Sequence, residues 1–316
     1  MIEQNEKEKK FISAVVYLHN EGEDVLDFFD RVVSVFERRF LQYEIICVDD
    51  GCTDRTVGVL KEYLEEHELA ATVSLVHLSF FHGLESAMNA GRDLAIGDFV
   101  YEFDSVRVDY DPELVLEVYQ KLLEGNDIVV ATAGRTARLS SMLFYALYNR
   151  TSHGNSKIGP ETFRLVSRRA INRVKSMGQY IPYRKAVYSN CGLNKAEVHY
   201  DLVKGGGRKK QKTGERASLA LDSFIYFTNV LERLSAIVSG AFLLITFGVG
   251  IYILKDFLTD SMVVEGWMST MGFLTLGFFG VFAILTIILK YLSVILNLIF
   301  KQQRYLIADI EKVVGR

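Results

Sequence analysis

Cysteine is scarce in this chain, and what is present is unpatterned. Cys47, Cys52 and Cys191 are the only three in 316 residues. They form neither a paired framework nor a C-x-x-C spacing, which excludes a disulfide scaffold and argues against a structural zinc site. They read as reduced thiols. Positive charge is not in excess either: 36 Lys and Arg against 39 Asp and Glu give a formal net charge of −3. That balance excludes a nucleic-acid binder working through bulk positive charge. The N-terminal "MIEQNEKEKK" lacks the apolar stretch of a secretory signal, so the first domain is expected to stay on the cytoplasmic side. A phosphate-binding P-loop is missing as well. The glycine-rich "KGGGRKKQKTGER" places Gln211 before Lys212 and Thr213 and so breaks the G-x-x-x-x-G-K-[ST] pattern.

Apolar residues, by contrast, make up 49% of the chain, and the excess lies after about residue 235. Ser235 to Leu254 carries no charge, and neither does Met271 to Leu289, before Lys290 interrupts the run. Each is long enough to cross a hydrocarbon core. The connector holds Lys255 against Asp256, Asp260 and Glu265, while basic residues precede the first run and recur after the second at Arg304 and Lys312. The expectation is a transmembrane hairpin in an inner or plasma membrane, multi-pass, with both chain ends cytoplasmic. Four parts follow: a domain over 1–203, a basic juxtamembrane segment over 204–234, two spans over 235–300 and a tail over 301–316.

The first 130 residues alternate two periodicities. "FISAVVYL", "YEIICVDDG", "TVSLVHL", "DFVYEF" and "DIVVA" are short apolar runs that read as buried strands. Between them, Val25 to Phe40, Thr53 to Leu64, Leu84 to Ala95 and Pro112 to Leu123 carry helical spacing. Such alternation predicts an α/β fold, a mostly parallel sheet covered on both faces. "TFRLVS" and "KAEVHY" add two further strands. Ligands of parallel sheets bind at the C-terminal ends of the strands, and three acidic clusters fall there: "HNEGED", "DDGCTD" and "FDSVRVD".

In order and spacing, "VVYLHNEGE", "EIICVDDGCTDRT", "HGLESAMNAGRDLAIGDFVYEFD" and "FRLVSRRAI" resemble the successive motifs of family 2 glycosyltransferases with a GT-A fold. The likeness extends to the membrane-anchored group that loads sugars onto dolichyl or undecaprenyl phosphate. The resemblance implies an inverting hexosyl transfer from a nucleotide sugar to a polyprenyl phosphate at the cytoplasmic membrane face, serving cell-surface glycan synthesis, and a homo-oligomer. It implies nucleotide contacts from Asn20, Glu21, Asp49, Asp50, His82 and Gly83. Thr53 or Asp54 would cap the helix that follows "DDGC". His82 stays open between ligand contact and solvated turn residue. Arg164 would face the diphosphate or the lipid phosphate, and Arg208, Lys209 and Lys210 would draw the lipid phosphate in. The alternative reading is a non-catalytic member that scaffolds or regulates a membrane glycan pathway.

Two departures from the family pattern stand out. Asp104 matches the first Asp of the family's D-x-D, but Ser105 and Val106 follow it. The resemblance then implies a weak Mg²⁺ or Mn²⁺ site at Asp104, with Asp109 or Asp111 folding back to add an oxygen and substrate phosphates completing the shell. Arg107 offers a metal-free alternative. Glu102 shares a strand face with Asp104 and reads as a paired, partly buried residue. In "GPETFRLVSRRA", Thr162 stands where the family carries Asp, so a general base is missing. A phosphate monoester acceptor, already anionic at neutral pH, tolerates that loss better than a sugar hydroxyl does. The only tryptophan, Trp267, lies outside any Gln-x-x-Arg-Trp motif, which disfavours a processive polysaccharide synthase.

Overall fold

The structure is a computed structural model. It describes residues 7–134 except 68, then 158–176, 183–203, 266–300 and 305–314, with scattered residues between. The chain forms two compact units, 1–219 with 302–316, and 220–301.

The first unit is built on one eight-stranded sheet. Its strands are β1 (Ile12–Leu18), β2 (Tyr43–Asp49), β3 (Thr72–Leu78), β4 (Phe99–Phe103), β5 (Ile128–Ala133), β6 (Phe163–Ser167), β7 (Lys195–Tyr200) and β8 (Ile307–Val314). They lie in the order β7-β5-β6-β4-β1-β2-β3-β8. The pairs β1–β2, β1–β4, β2–β3 and β5–β7 are parallel, whereas β6 runs antiparallel to both β4 and β5. The central strands are mostly apolar because helices cover both faces. Every strand expected from the apolar runs is present.

Helix α1 runs Asp24–Phe28, passes through a π turn at Phe29–Val33 and continues as Ser34–Arg39. The wider turn lets the adjacent pairs Phe28/Phe29 and Val32/Val33 all be buried. Phe28 meets Phe103 edge-on at 4.9 Å, and Phe36 lies 5.2 Å from Tyr101, which seats α1 over β4. Helices α2 (Thr56–Glu66), α3 (Leu84–Leu94), α4 (Leu114–Leu123), α5 (Arg168–Ser176) and α6 (Arg184–Asn190) complete the unit.

Helix α3 approaches β1 and β2 through Gly91. A Cβ there would collide with Val15 Cγ1 and stand 2.7 Å from Val48 Cγ2. Gly91→Ala is therefore expected to overpack this seam and cost about 1–3 kcal/mol. Urea unfolding measures it, and an unshifted midpoint would show that the helix can back away freely.

The segment after residue 304 is not a loose tail. β8 pairs antiparallel with β3 from Thr72↔Val314 to Leu78↔Ile307, with an irregularity at His77/Leu78. Lys61 of α2 and His77 of β3 both reach Glu311, at 2.6 and 3.5 Å.

In the second unit, helix α7 spans Trp267–Phe300 and includes the second expected apolar run. Most of the first expected run lies outside the described residues, and Arg208, Lys209 and Lys210 lie wholly outside them. A crossing helix needs about 20 consecutive apolar residues. Among the described residues no helix is long and apolar enough to cross a membrane. This finding overturns the expected multi-pass placement in an inner or plasma membrane with both termini cytoplasmic, and the transmembrane hairpin is without support.

Candidate functional site

The C-terminal ends of β1, β2 and β3 gather the first group of expected residues. Asn20 takes a left-handed φ of 56° on leaving β1. That turn aims its Oδ1 at the backbone N–H groups of Thr53 and Asp54, 2.8 and 3.2 Å away. Glu21 follows, half-buried, at the start of the turn into α1. Asp54 Oδ1 accepts from the Thr56 N–H at 3.0 Å and so holds the first turn of α2. Asp49 ends β2 with Oδ1 on the Cys52 N–H and Oδ2 on His77 Nδ1, each at 2.8 Å.

Asp50 is fully buried. Its Oδ1 accepts from the His82 N–H at 2.6 Å, and its Oδ2 from the Gly83 N–H at 2.8 Å and the Tyr17 hydroxyl at 3.1 Å. Sequence reading expects a direct nucleoside contact from this carboxylate. Here both oxygens are spent on shaping the β3–α3 turn, where Gly83 adopts φ 86°. His82 is likewise tied in. Its Nε2 accepts from the Leu306 N–H at 3.1 Å, which puts the proton on Nδ1, donating to the Phe80 carbonyl at 2.5 Å.

The second group surrounds the end of β4. Glu102 and Asp104, two residues apart on one face, meet two arginines. Arg164 of β6 donates from Nη1 to Glu102 at 2.8 Å, from Nη2 to Asp104 at 3.1 Å and from Nε to Glu161 at 3.1 Å. Arg184, the first residue of α6, donates to Glu102 and Asp104 at 2.7 Å each and from Nε to Glu85 at 2.9 Å. The Tyr188 hydroxyl adds a 2.6 Å bond to Glu102, and Lys195 holds Glu161 at 2.9 Å. Both guanidinium groups are fully buried. The outward role expected of Arg164 toward a phosphate is thus replaced by an inward one, because three carboxylates converge on it.

Burial alone would raise the carboxyls of Asp104 and Glu161. The arginines, with Lys195 at Glu161, outweigh it and bring each to about 2. Glu102 is lowered against the same burial by Arg184 and Arg164. All three are therefore anionic at neutral pH.

A model of the glycosyl transferase family 2 domain matches residues 13–175. The chain belongs to this family. It is 29% identical over 310 residues to an uncharacterized glycosyltransferase of Synechocystis sp., covering 95% of each chain. It is 27% identical over 269 residues to a prophage bactoprenol glucosyl transferase homolog of Escherichia coli, covering 82% of this chain and 85% of the relative. Among solved structures, the mannosyltransferase PcManGT of Pyrobaculum calidifontis, in complex with GDP-Man and Mn²⁺, aligns with a TM-score of 0.52 at 12% identity. That alignment covers 94% of this chain and 89% of the other. The likeness establishes an α/β, GT-A-like fold.

The family 2 rim here does not fit a metal centre. Each Asp104 oxygen already accepts from a guanidinium, and Val106, where a second Asp would stand, is buried in the hydrophobic core. Asp109 Oδ1 accepts from the Tyr200 hydroxyl at 3.1 Å and Asp111 Oδ1 from the Glu113 N–H at 3.0 Å. Arg31 pins the loop that carries Asp109 through the Val108 and Tyr110 carbonyls at 3.0 and 3.2 Å, so Asp109 is not free to fold back. Among the described residues no group of three His, Cys, Asp or Glu side chains could hold a metal ion. Arg184 and Glu85 escaped sequence reading. "YIPYRKAVYSN" carries no motif, and the only signal was an arginine embedded in an apolar helical stretch.

Proposed function

We propose that this family 2 glycosyltransferase moves a hexose, with inversion, from a nucleotide sugar to a polyprenyl phosphate. The observation that carries the acceptor is the absence of a usable base among the described residues of the acceptor motif. Glu161 is clamped by Arg164 and Lys195 with its carboxyl at about 2. Thr162 donates its hydroxyl to Tyr200 at 2.6 Å, since the Tyr200 proton goes to Asp109. A sugar hydroxyl would need deprotonation. A phosphate monoester, with a second pKa of about 6, arrives as the nucleophile. The relatives named as bactoprenol glucosyl transferases support the same acceptor class.

In this mechanism the acceptor phosphate oxygen attacks the anomeric carbon and the nucleoside diphosphate leaves. The Asp50-anchored turn shapes the nucleoside end of the site. The paired acids and arginines below Asp104 keep the β4 rim rigid, so that the two substrates meet in one geometry.

Purified protein should transfer label from UDP- or GDP-hexoses to undecaprenyl phosphate and not to undecaprenol. Transfer to the unphosphorylated alcohol, or none to either, would sink this reading. The complete failure of transfer would favour a non-catalytic member, for which the arginine-saturated Asp104 is the specific supporting feature.

A further inference from the structure

Arg107 carries donors that the fold leaves unused. It lies on the loop leaving β4, three residues past Asp104, and its Nη2 stands 3.5 Å from Asp24 Oδ2 at the start of α1. Its Nε and Nη1 are buried and have no hydrogen-bond partner among the described residues. Burying guanidinium N–H groups without acceptors is costly, and a bound anion would relieve that cost. The position suits an anion: β4 and β1 are neighbouring parallel strands, and Arg107 bridges the chain segments that follow their C-terminal ends. That rim is where a parallel sheet receives its ligands.

Lys185 is a second unspent cation. It follows Arg184 directly, is only partly exposed, and forms no ion pair among the described residues. Yet it stands near enough to Asp104 and Glu161 to help hold both carboxyls down. The carboxylate that would recruit a divalent cation is meanwhile neutralised by Arg164 and Arg184, its neighbour Glu102 is held by the same two arginines, and Val106 is buried in the core.

We infer that Arg107, together with Lys185, binds the diphosphate of the donor directly through charge-assisted hydrogen bonds, so that recognition of the donor proceeds without a divalent cation. Arginine suits this work, because its planar fork matches phosphate oxygens two at a time. The inference rests on the reading of this rim as the donor site.

Calorimetric titration of the full-length protein with uridine diphosphate and guanosine diphosphate, in EDTA and again in millimolar Mn²⁺, tests it. The preferred diphosphate is expected to bind with the same affinity in both buffers. Arg107→Met and Lys185→Met should each weaken it by about tenfold in EDTA, with thermal unfolding unchanged. Affinity that appears only with Mn²⁺, or variants that bind like the wild type, would overturn the inference and leave the donor site standing. No binding of either diphosphate in either buffer would remove the donor reading and the inference together.

Discussion

Arg184→Met is expected to cost about 3–5 kcal/mol of folding stability, as does removal of one partner from a buried ionic cluster. Methionine nearly matches the length of the side chain and leaves three carboxylates, Glu85, Glu102 and Asp104, short of the guanidinium that each now holds within 2.9 Å. The same change should appear in acid. In the wild type, the folded carboxyls of Asp104 and Glu161 lie at about 2, below their ordinary 3.8 and 4.5. A depressed carboxyl stabilises the fold fully above its ordinary value, and that contribution is lost as pH falls through the folded value. The wild-type network therefore weakens between about pH 4.5 and pH 2. Without Arg184, Asp104 keeps one guanidinium, its carboxyl rises, and acid unfolding begins at higher pH. Urea titration at neutral pH and circular dichroism down the acid limb measure the two effects. An unmoved urea midpoint would mean that Arg164 alone holds the acids.

Asp50→Ala should be nearly as damaging, by about 3 kcal/mol, because it removes the buried acceptor of two part-buried N–H groups and of the Tyr17 hydroxyl. Among the described residues the His82 and Gly83 amides have no second acceptor, and Gly83 is held at a positive φ that the carboxylate helps to fix. Loss of stability and loss of diphosphate affinity should therefore arrive together. Asp50→Asn, which keeps one acceptor oxygen, should recover part of both. A variant that unfolds like the wild type but no longer binds would return Asp50 to a direct ligand role.

How far the sequence could be read depended on the range of the interaction. β1, β2 and β5 are buried on both faces and so appear as largely apolar runs, while α2 and α4 carry their buried residues at helical spacing. Both are local signals. The placement of Glu102 and Asp104 on one face also followed from strand periodicity, and the pairing of Glu102 was foreseen. Their partners were not, since Arg184 comes from 80 residues away on a helix with no motif. The fate of Asp50 was hidden for the same reason. An acid at the end of a strand looks alike whether it faces a ligand or a turn 32 residues further on. β8 was overlooked because "IADIEKVV" follows long apolar runs and was treated as their trailing end, although its β-branched content was visible.

The final strand also bears on how the protein is made. The Leu306 amide and His82 are 224 residues apart, and β3 gains its outer neighbour only from a stretch translated long after it. Until then the nascent chain carries β3 as an open edge, the kind of surface on which strands of other chains can add. Closing so long a loop would cost a flexible chain about 5 kcal/mol of entropy. The ion pair of Glu311 with Lys61 and its contact with His77, beside the main-chain ladder, help to offset that cost once β8 is in place.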